Sequence, residues 1–238
     1  MRSVSLGDRR VRAAVTGRAG GVSEAPYAGL NLGGRVGDDP GAVAANRARL
    51  ADELGLAALA FMEQVHGADV AAVAGTGETP HTDGLVTATA GLGLVVLVAD
   101  CTPVLLADDA AGVVAAVHAG RRGLAGAIVV RAVEAMAELG AHPERLTAWL
   151  GPAVCGGCYE VPAALRDEVD AAAPGSAATT RAGTPAVDIR TGLERQLREA
   201  GVRDVTVDEA CTMEDPAYFS YRRDRVTGRF AGVVWLVE

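Results

Sequence analysis

The 238-residue chain carries a formal net charge of −8 from 22 basic and 30 acidic side chains, and every basic one is arginine. The absence of lysine excludes a Schiff-base lysine enzyme and a Walker-type phosphate loop. An acidic chain with no basic cluster is poorly suited to nucleic acid or an anionic membrane, so small-molecule partners are expected.

Half of the residues are hydrophobic but only 4% are aromatic, so any core must be built from Val, Leu and Ala. The opening MRSVSLGDRRVR has no apolar segment behind its charges and predicts no secretory signal. Residues 11–17 read as a strand, and 41–54 as a helix capped by Asp39 or Asp38, with Pro40 in its first turn and Gly55 as its stop. Short Val- and Leu-rich runs at 69–74, 84–89, 93–99, 103–107 and 112–117 predict buried strands. The longest apolar stretch, 85–99, is too short and too interrupted to span a bilayer. A helix is expected at 124–139, a strand at 145–150, helices at 162–172 and 189–200, and strands at 203–208 and 230–237. Residues 171–186 have the composition of a flexible loop. Several strands run consecutively between helices. The pattern therefore predicts one α/β (α+β) domain over 1–238, with mixed β-sheets flanked by helices.

A cytoplasmic location is expected, and there Cys101, Cys155, Cys158 and Cys211 suit thiols or metal ligands better than disulfides. His66 in FMEQVHGADV and His118 in GVVAAVHAGRRG each end an apolar run beside glycine. Cys101 lies just past a buried strand, ahead of Pro103. Two imidazoles and a thiolate make a competent zinc set with an open fourth position. The same residues also suit two hydrogen-bonded strand-end histidines and a buried cysteine, or a covalent pair with Cys101 as nucleophile and His118 as base.

HAGRRGLAG, residues 118–126, brings glycines and two arginines to a helix start, which suits either an anion or an ordinary turn. CGGC at 155–158 has redox or zinc-knuckle spacing, but without a second pair it reads as loop cysteines. FSYRRDRVTGR, 219–229, suits either a stacking surface for a planar anion or a salt-bridged hairpin. His81 and His142 lie in polar turns and read as solvated.

Together, GGVSEAPYAGLNLG, VGDDP, QVHG, DGLVT, ADCTPVLLAD, HAGRRG, GPAVCGGCYEV, CT, FSYRRD and TGR occur in the order found in the YfiH/laccase-domain family, which the chain resembles over almost its whole length. The resemblance implies a mixed α/β fold similar to that of a toxin deamidase with a Cys–His pair, and zinc bound by His66, Cys101 and His118. It further implies phosphorolysis of adenosine, inosine and 5′-methylthioadenosine, together with adenosine deamination. An older description of the family is copper-dependent phenol oxidation. One departure stands out: the family usually has tryptophan where this chain has Arg121.

Zinc at this site would activate water for displacing ammonia from adenine. For phosphorolysis, Arg122 is the first expected phosphate ligand, followed by Arg222 and Arg223, because no lysine is available. Asp100 is expected either to steady the developing oxocarbenium ion or to orient a ligand histidine. Copper oxidation fits less well, since a multicopper cluster needs more than four histidines, although Cu²⁺ can enter a His₂Cys site. A metal-binding protein without turnover is a further alternative.

Overall fold

The computed structural model describes residues 1–7, 10–77 and 79–237. The expected domain bounds, 1–238, also take in Asp8, Arg9, Glu78 and Glu238, which lie outside the described residues. In chain order the elements are β1 (Arg2–Val4), β2 (Val11–Val15), α1 (Pro40–Leu54), β3 (Ala58–Ala60), β4 (Val70–Ala72), β5 (Gly84–Thr87), β6 (Leu92–Val98), β7 (Thr102–Asp108) and β8 (Val113–Ala119). There follow α2 (Arg121–Ala125), α3 (Ile128–Glu138), β9 (Thr147–Leu150), α4 (Ala163–Ala172), β10 (Ala177–Thr179), β11 (Pro185–Val187), α5 (Ile189–Glu199), β12 (Asp204–Val207), α6 (Tyr221–Asp224) and β13 (Phe230–Leu236). No helix among the described residues is long and apolar enough to cross a membrane.

Two mixed sheets stack face to face. One has the order β1-β2-β13-β6-β3 and the other β12-β9-β7-β8-β5-β4. The central strands β6, β7 and β8 are buried along almost their whole length because both of their faces are covered. Leu94, Val96 and Val98 of β6 meet Leu105, Val114 and Ala116 in the layer between the sheets, while Val95 faces Leu50 of α1 on the outside. On the opposite side, Val104, Leu106, Val113, Ala115 and Val117 pack under α3 and α5. The result is a helix–sheet–sheet–helix stack. Each fully buried Val or Leu contributes about 1.5–3 kcal/mol, so many aliphatic side chains replace the scarce aromatics.

Local signals explain the helix ends. Asp39 accepts from the Ala42 amide, Pro40 opens α1, and Gly55 closes it with φ 67°. The single helix expected at 124–139 is instead α2 and α3, broken at Ala127 with φ 55°. Alanine carries no sequence signal for such a break. The expected flexible loop at 171–186 contains β10 and most of β11, a hairpin whose Ala186 and Val187 are buried.

Asp108, buried at the end of β7, ties the six-stranded sheet to the turn before β9. Its carboxylate accepts from the Ala110, Ala111 and His142 amides and from two nitrogens of Arg145. Burial opposes its ionisation, but the Arg145 guanidinium and these amides prevail and hold the carboxyl below its usual range. A lowered folded-state pKa stabilises the fold above the unfolded value near 4, and the contribution is lost as pH falls through the lowered value. Asp108→Asn is therefore expected to cost about 2–3 kcal/mol at neutral pH, a difference that shrinks in acid. Denaturant midpoints at pH 7 and pH 3 check this, and a gap that grows on acidification would count against it.

Candidate active site

The chain crosses from one sheet to the other between β6 and β7, at Ala99–Asp100–Cys101. Asp100 takes φ 92° to make the step. Cys101 emerges just ahead of β7, whose Pro103 stands opposite His118 of the antiparallel β8. His66 arrives from the loop between β3 and β4, with φ 60°. The donor atoms of the three side chains lie within 4.8 Å of one another. The His66 Nε2 is 4.0 Å from the Cys101 sulfur, and the two imidazoles meet edge to face with centroids 4.7 Å apart. Gly120 makes this approach possible, because a Cβ there would stand 3.0 Å from the Cys101 sulfur and 3.4 Å from His66 Cδ2.

Asp83, fully buried just ahead of β5, holds the histidines in place. Its carboxylate accepts from the backbone amides of Val65, His66 and Gly67 at 3.2, 3.0 and 2.6 Å. The same oxygen that takes the His66 amide lies 2.8 Å from His118 Nδ1. Nδ1 thereby carries a proton, which leaves Nε2 to face Cys101. Burial opposes ionisation of Asp83, but His118 and the Gly67 and His66 amides outweigh it and keep the carboxyl below its ordinary range.

Electrostatics favour a thiolate at the centre. Burial alone would raise the Cys101 pKa, yet the His118 imidazolium and His66 pull it below the ordinary thiol range. Burial would lower His118, yet the Cys101 thiolate and Asp83 push it above the ordinary imidazole range. Two imidazole nitrogens and a thiolate, converging from three separate segments and steadied by a buried carboxylate, suit a tetrahedral metal that keeps one open position.

The site opens into a cleft of about 770 Å³. Among the described residues six arginines line it, Arg35, Arg47, Arg121, Arg222, Arg225 and Arg229, against the two carboxylates Glu63 and Asp100. Arg35 is paired with Glu63, and Arg47 and Arg222 lie over the faces of Phe61 and Tyr159 at 4.1 and 4.7 Å. A protein of net charge −8 thus concentrates positive charge at one cleft. Anions with a flat aromatic part fit such a surface.

Several expected residues fall elsewhere. Arg122 is exposed and does not line the cleft; its neighbour Arg121, the first residue of α2, does. Arg223 turns its guanidinium to the carbonyls of Thr212 and Tyr218 and to Asp224, so it braces the 212–224 loop. Arg222 does reach the cleft. Asp100 also lines it, but orienting a histidine falls to Asp83: the Asp100 oxygens accept from Thr212 Oγ1 at 2.7 Å and from the Arg222 amide at 2.5 Å. The 219–229 segment forms α6 rather than a hairpin. His81 and His142 are more than half exposed beside Glu63 and Glu144, and neither joins the His66, Cys101 and His118 group.

Residues 12–237 match the family model described as multi-copper polyphenol oxidoreductase laccase. The chain is 59% identical over 229 residues to purine nucleoside phosphorylase ORF3 of Streptomyces griseus, covering 94% of this chain and 93% of the relative. It is 56% identical over 231 residues to a purine nucleoside phosphorylase of Mycobacterium tuberculosis, covering 95% and 92%. Among solved structures, protein NMB0706 of Neisseria meningitidis superposes with a TM-score of 0.90 at 35% identity, over 100% of both chains. The chain belongs to the multi-copper polyphenol oxidoreductase laccase family.

Proposed function

From that membership we propose that the chain is a zinc-dependent purine nucleoside phosphorylase, acting on adenosine, inosine and 5′-methylthioadenosine, that also deaminates adenosine. The observation that carries the reading is the group of His66, Cys101 and His118, oriented by Asp83, at the floor of an arginine-lined cleft. The 59% and 56% identical relatives named purine nucleoside phosphorylase support the substrate class. Under this reading the whole of 1–238 works as one cytoplasmic unit that needs neither nucleic acid nor membrane.

His66, Cys101 and His118 would hold the zinc ion, which when bound supplies a Lewis acid. Phosphate would be gripped by Arg222 and Arg121, in place of Arg122 and Arg223, through charge-assisted hydrogen bonds. Tyr159, Tyr221 and Phe61 offer flat faces for the purine. In phosphorolysis a phosphate oxygen bonds to C1′ of the ribose as the bond from C1′ to the base breaks. The bonding electrons leave with the purine, which takes up a proton. The Asp100 carboxylate, held beside the site by Thr212 and the Arg222 amide, would steady positive charge on the ribose.

The resting thiolate–imidazolium polarity of Cys101 and His118 favours one alternative, covalent hydrolysis with Cys101 as nucleophile. That alternative leaves His66 only a share in lowering the thiol pKa. Copper could also enter the site adventitiously, since Cu²⁺ outcompetes Zn²⁺ at most N/S sites. The described residues supply only two histidines to this group, which argues against multicopper oxidation.

Phosphate kinetics test the reading. Initial rates with adenosine should saturate with phosphate, and Arg222→Ala should raise the phosphate KM about 10–100-fold, the loss of one charge-assisted contact. Arg122→Ala should leave it within about twofold. The reverse pattern would return the phosphate to Arg122, and rates independent of phosphate would rule out phosphorolysis.

A further inference from the structure

A second donor cluster lies apart from the residues used above. Cys155, Cys158, Cys211 and Glu214 bring three sulfurs and a carboxylate oxygen within 4.8 Å of one another. Two turns build it. In the first, the amides of Cys158 and Tyr159 return to the Cys155 carbonyl; in the second, those of Glu214 and Asp215 return to the Cys211 carbonyl. A parallel bridge between Ala153 and Cys211 sets the turns against each other. CGGC therefore gains its missing partners from a segment far downstream.

Two hydrogen-bond donors face the sulfurs. The Cys155 amide is directed at the Cys211 sulfur at 3.4 Å, and Arg181 Nη1 lies 3.0 Å from the Cys158 sulfur. A neutral thiol is a weak acceptor, whereas a thiolate rewards such donors. Arg181 also pairs with both carboxylate oxygens of Glu214, which holds that side chain at the cluster. Cys211 is buried, Cys155 and Cys158 are half-buried, and Glu214 is exposed.

We propose that Cys155, Cys158, Cys211 and Glu214 form a second, structural zinc site. Zinc–sulfur bonds of about 2.3 Å imply sulfurs about 3.8 Å apart in a tetrahedron, and the four donor atoms already lie within 4.8 Å of one another. Binding releases three thiol protons to solvent and involves no redox change. Three thiolates and a carboxylate around Zn²⁺ leave a net charge of −2, which Arg181 reduces to −1.

The site would act as a staple. The Val154 amide donates to the Asp100 carbonyl and Thr212 Oγ1 to the Asp100 carboxylate, so the two joined turns grip the residue next to Cys101. The inference rests on its own donor set and does not depend on the reaction at the first site.

The test is metal content of the full chain, purified under reducing conditions without chelator and loaded with zinc. About two zinc ions per chain are expected, falling to about one in Cys158→Ser or Cys211→Ser and to about one in His118→Ala. A wild-type chain that holds one zinc, retained in Cys158→Ser, overturns the proposal, as does an oxidised Cys155–Cys158 pair without metal. If the serine variants fail to fold, Cys101→Ala keeps only the three clustered cysteines. It should bind one equivalent of Co²⁺ with a sulfur-to-cobalt charge-transfer band. Absence of that band in folded protein overturns the proposal equally.

Discussion

His118→Ala is expected to lower adenosine phosphorolysis by at least about 10³-fold and to remove the metal from the His66 and Cys101 site. The imidazole is buried on β8, so no water-exposed side chain can replace it. Its loss breaks the converging set at one nitrogen and takes away the charge that keeps Cys101 ionised. It also leaves an Asp83 oxygen without its 2.8 Å partner, at a cost of about 1–3 kcal/mol in stability. Kinetics with zinc-loaded protein, beside a thermal melt, separate the two effects: the variant should still fold. Activity within tenfold of wild type would remove His118 from the site.

Asp83→Asn is expected to weaken zinc binding, or the activity that depends on it, by about 10–100-fold. The native carboxylate only accepts, and it accepts from three amides and from His118 Nδ1. An asparagine amide must point an N–H at one of these donors, which tilts the His66 loop or frees the His118 ring. Asp83 acts through the histidines, so it is a positioning residue. A chelator competition that reads zinc affinity in folded protein distinguishes this from a general loss of stability. Unchanged zinc affinity with a lowered melting temperature would reduce Asp83 to a structural role.

The strands that carry the site were legible because both of their faces are buried: β5 to β8 are continuous apolar runs bounded by Gly, Pro and Asp. Cys101 and His118 stood out because they stand at the ends of such runs, whereas His66 lies in the loop between β3 and β4 rather than at a strand end. β1, β3 and the β10–β11 hairpin are three-residue strands, too short to show a period. The break at Ala127 depends on packing that no alanine announces.

Site residues that act through tertiary contacts were the least visible. Asp83 sits in DGLVT, where it reads as a strand boundary; its task appears only when the QVHG loop folds over it. Arg121 and Arg122 are adjacent, and the turn of α2 alone decides which faces the cleft. CGGC looked solitary because Cys211 reaches it through a single bridge.

Product analysis tests the central claim most directly. Adenosine is incubated with zinc-loaded protein in the presence and absence of phosphate, and the products are separated. Adenine and ribose 1-phosphate in equal amounts, formed only with phosphate and lost in His118→Ala, are the predicted result. Failure to form adenine from adenosine and phosphate, with zinc bound at His66, Cys101 and His118, would contradict it.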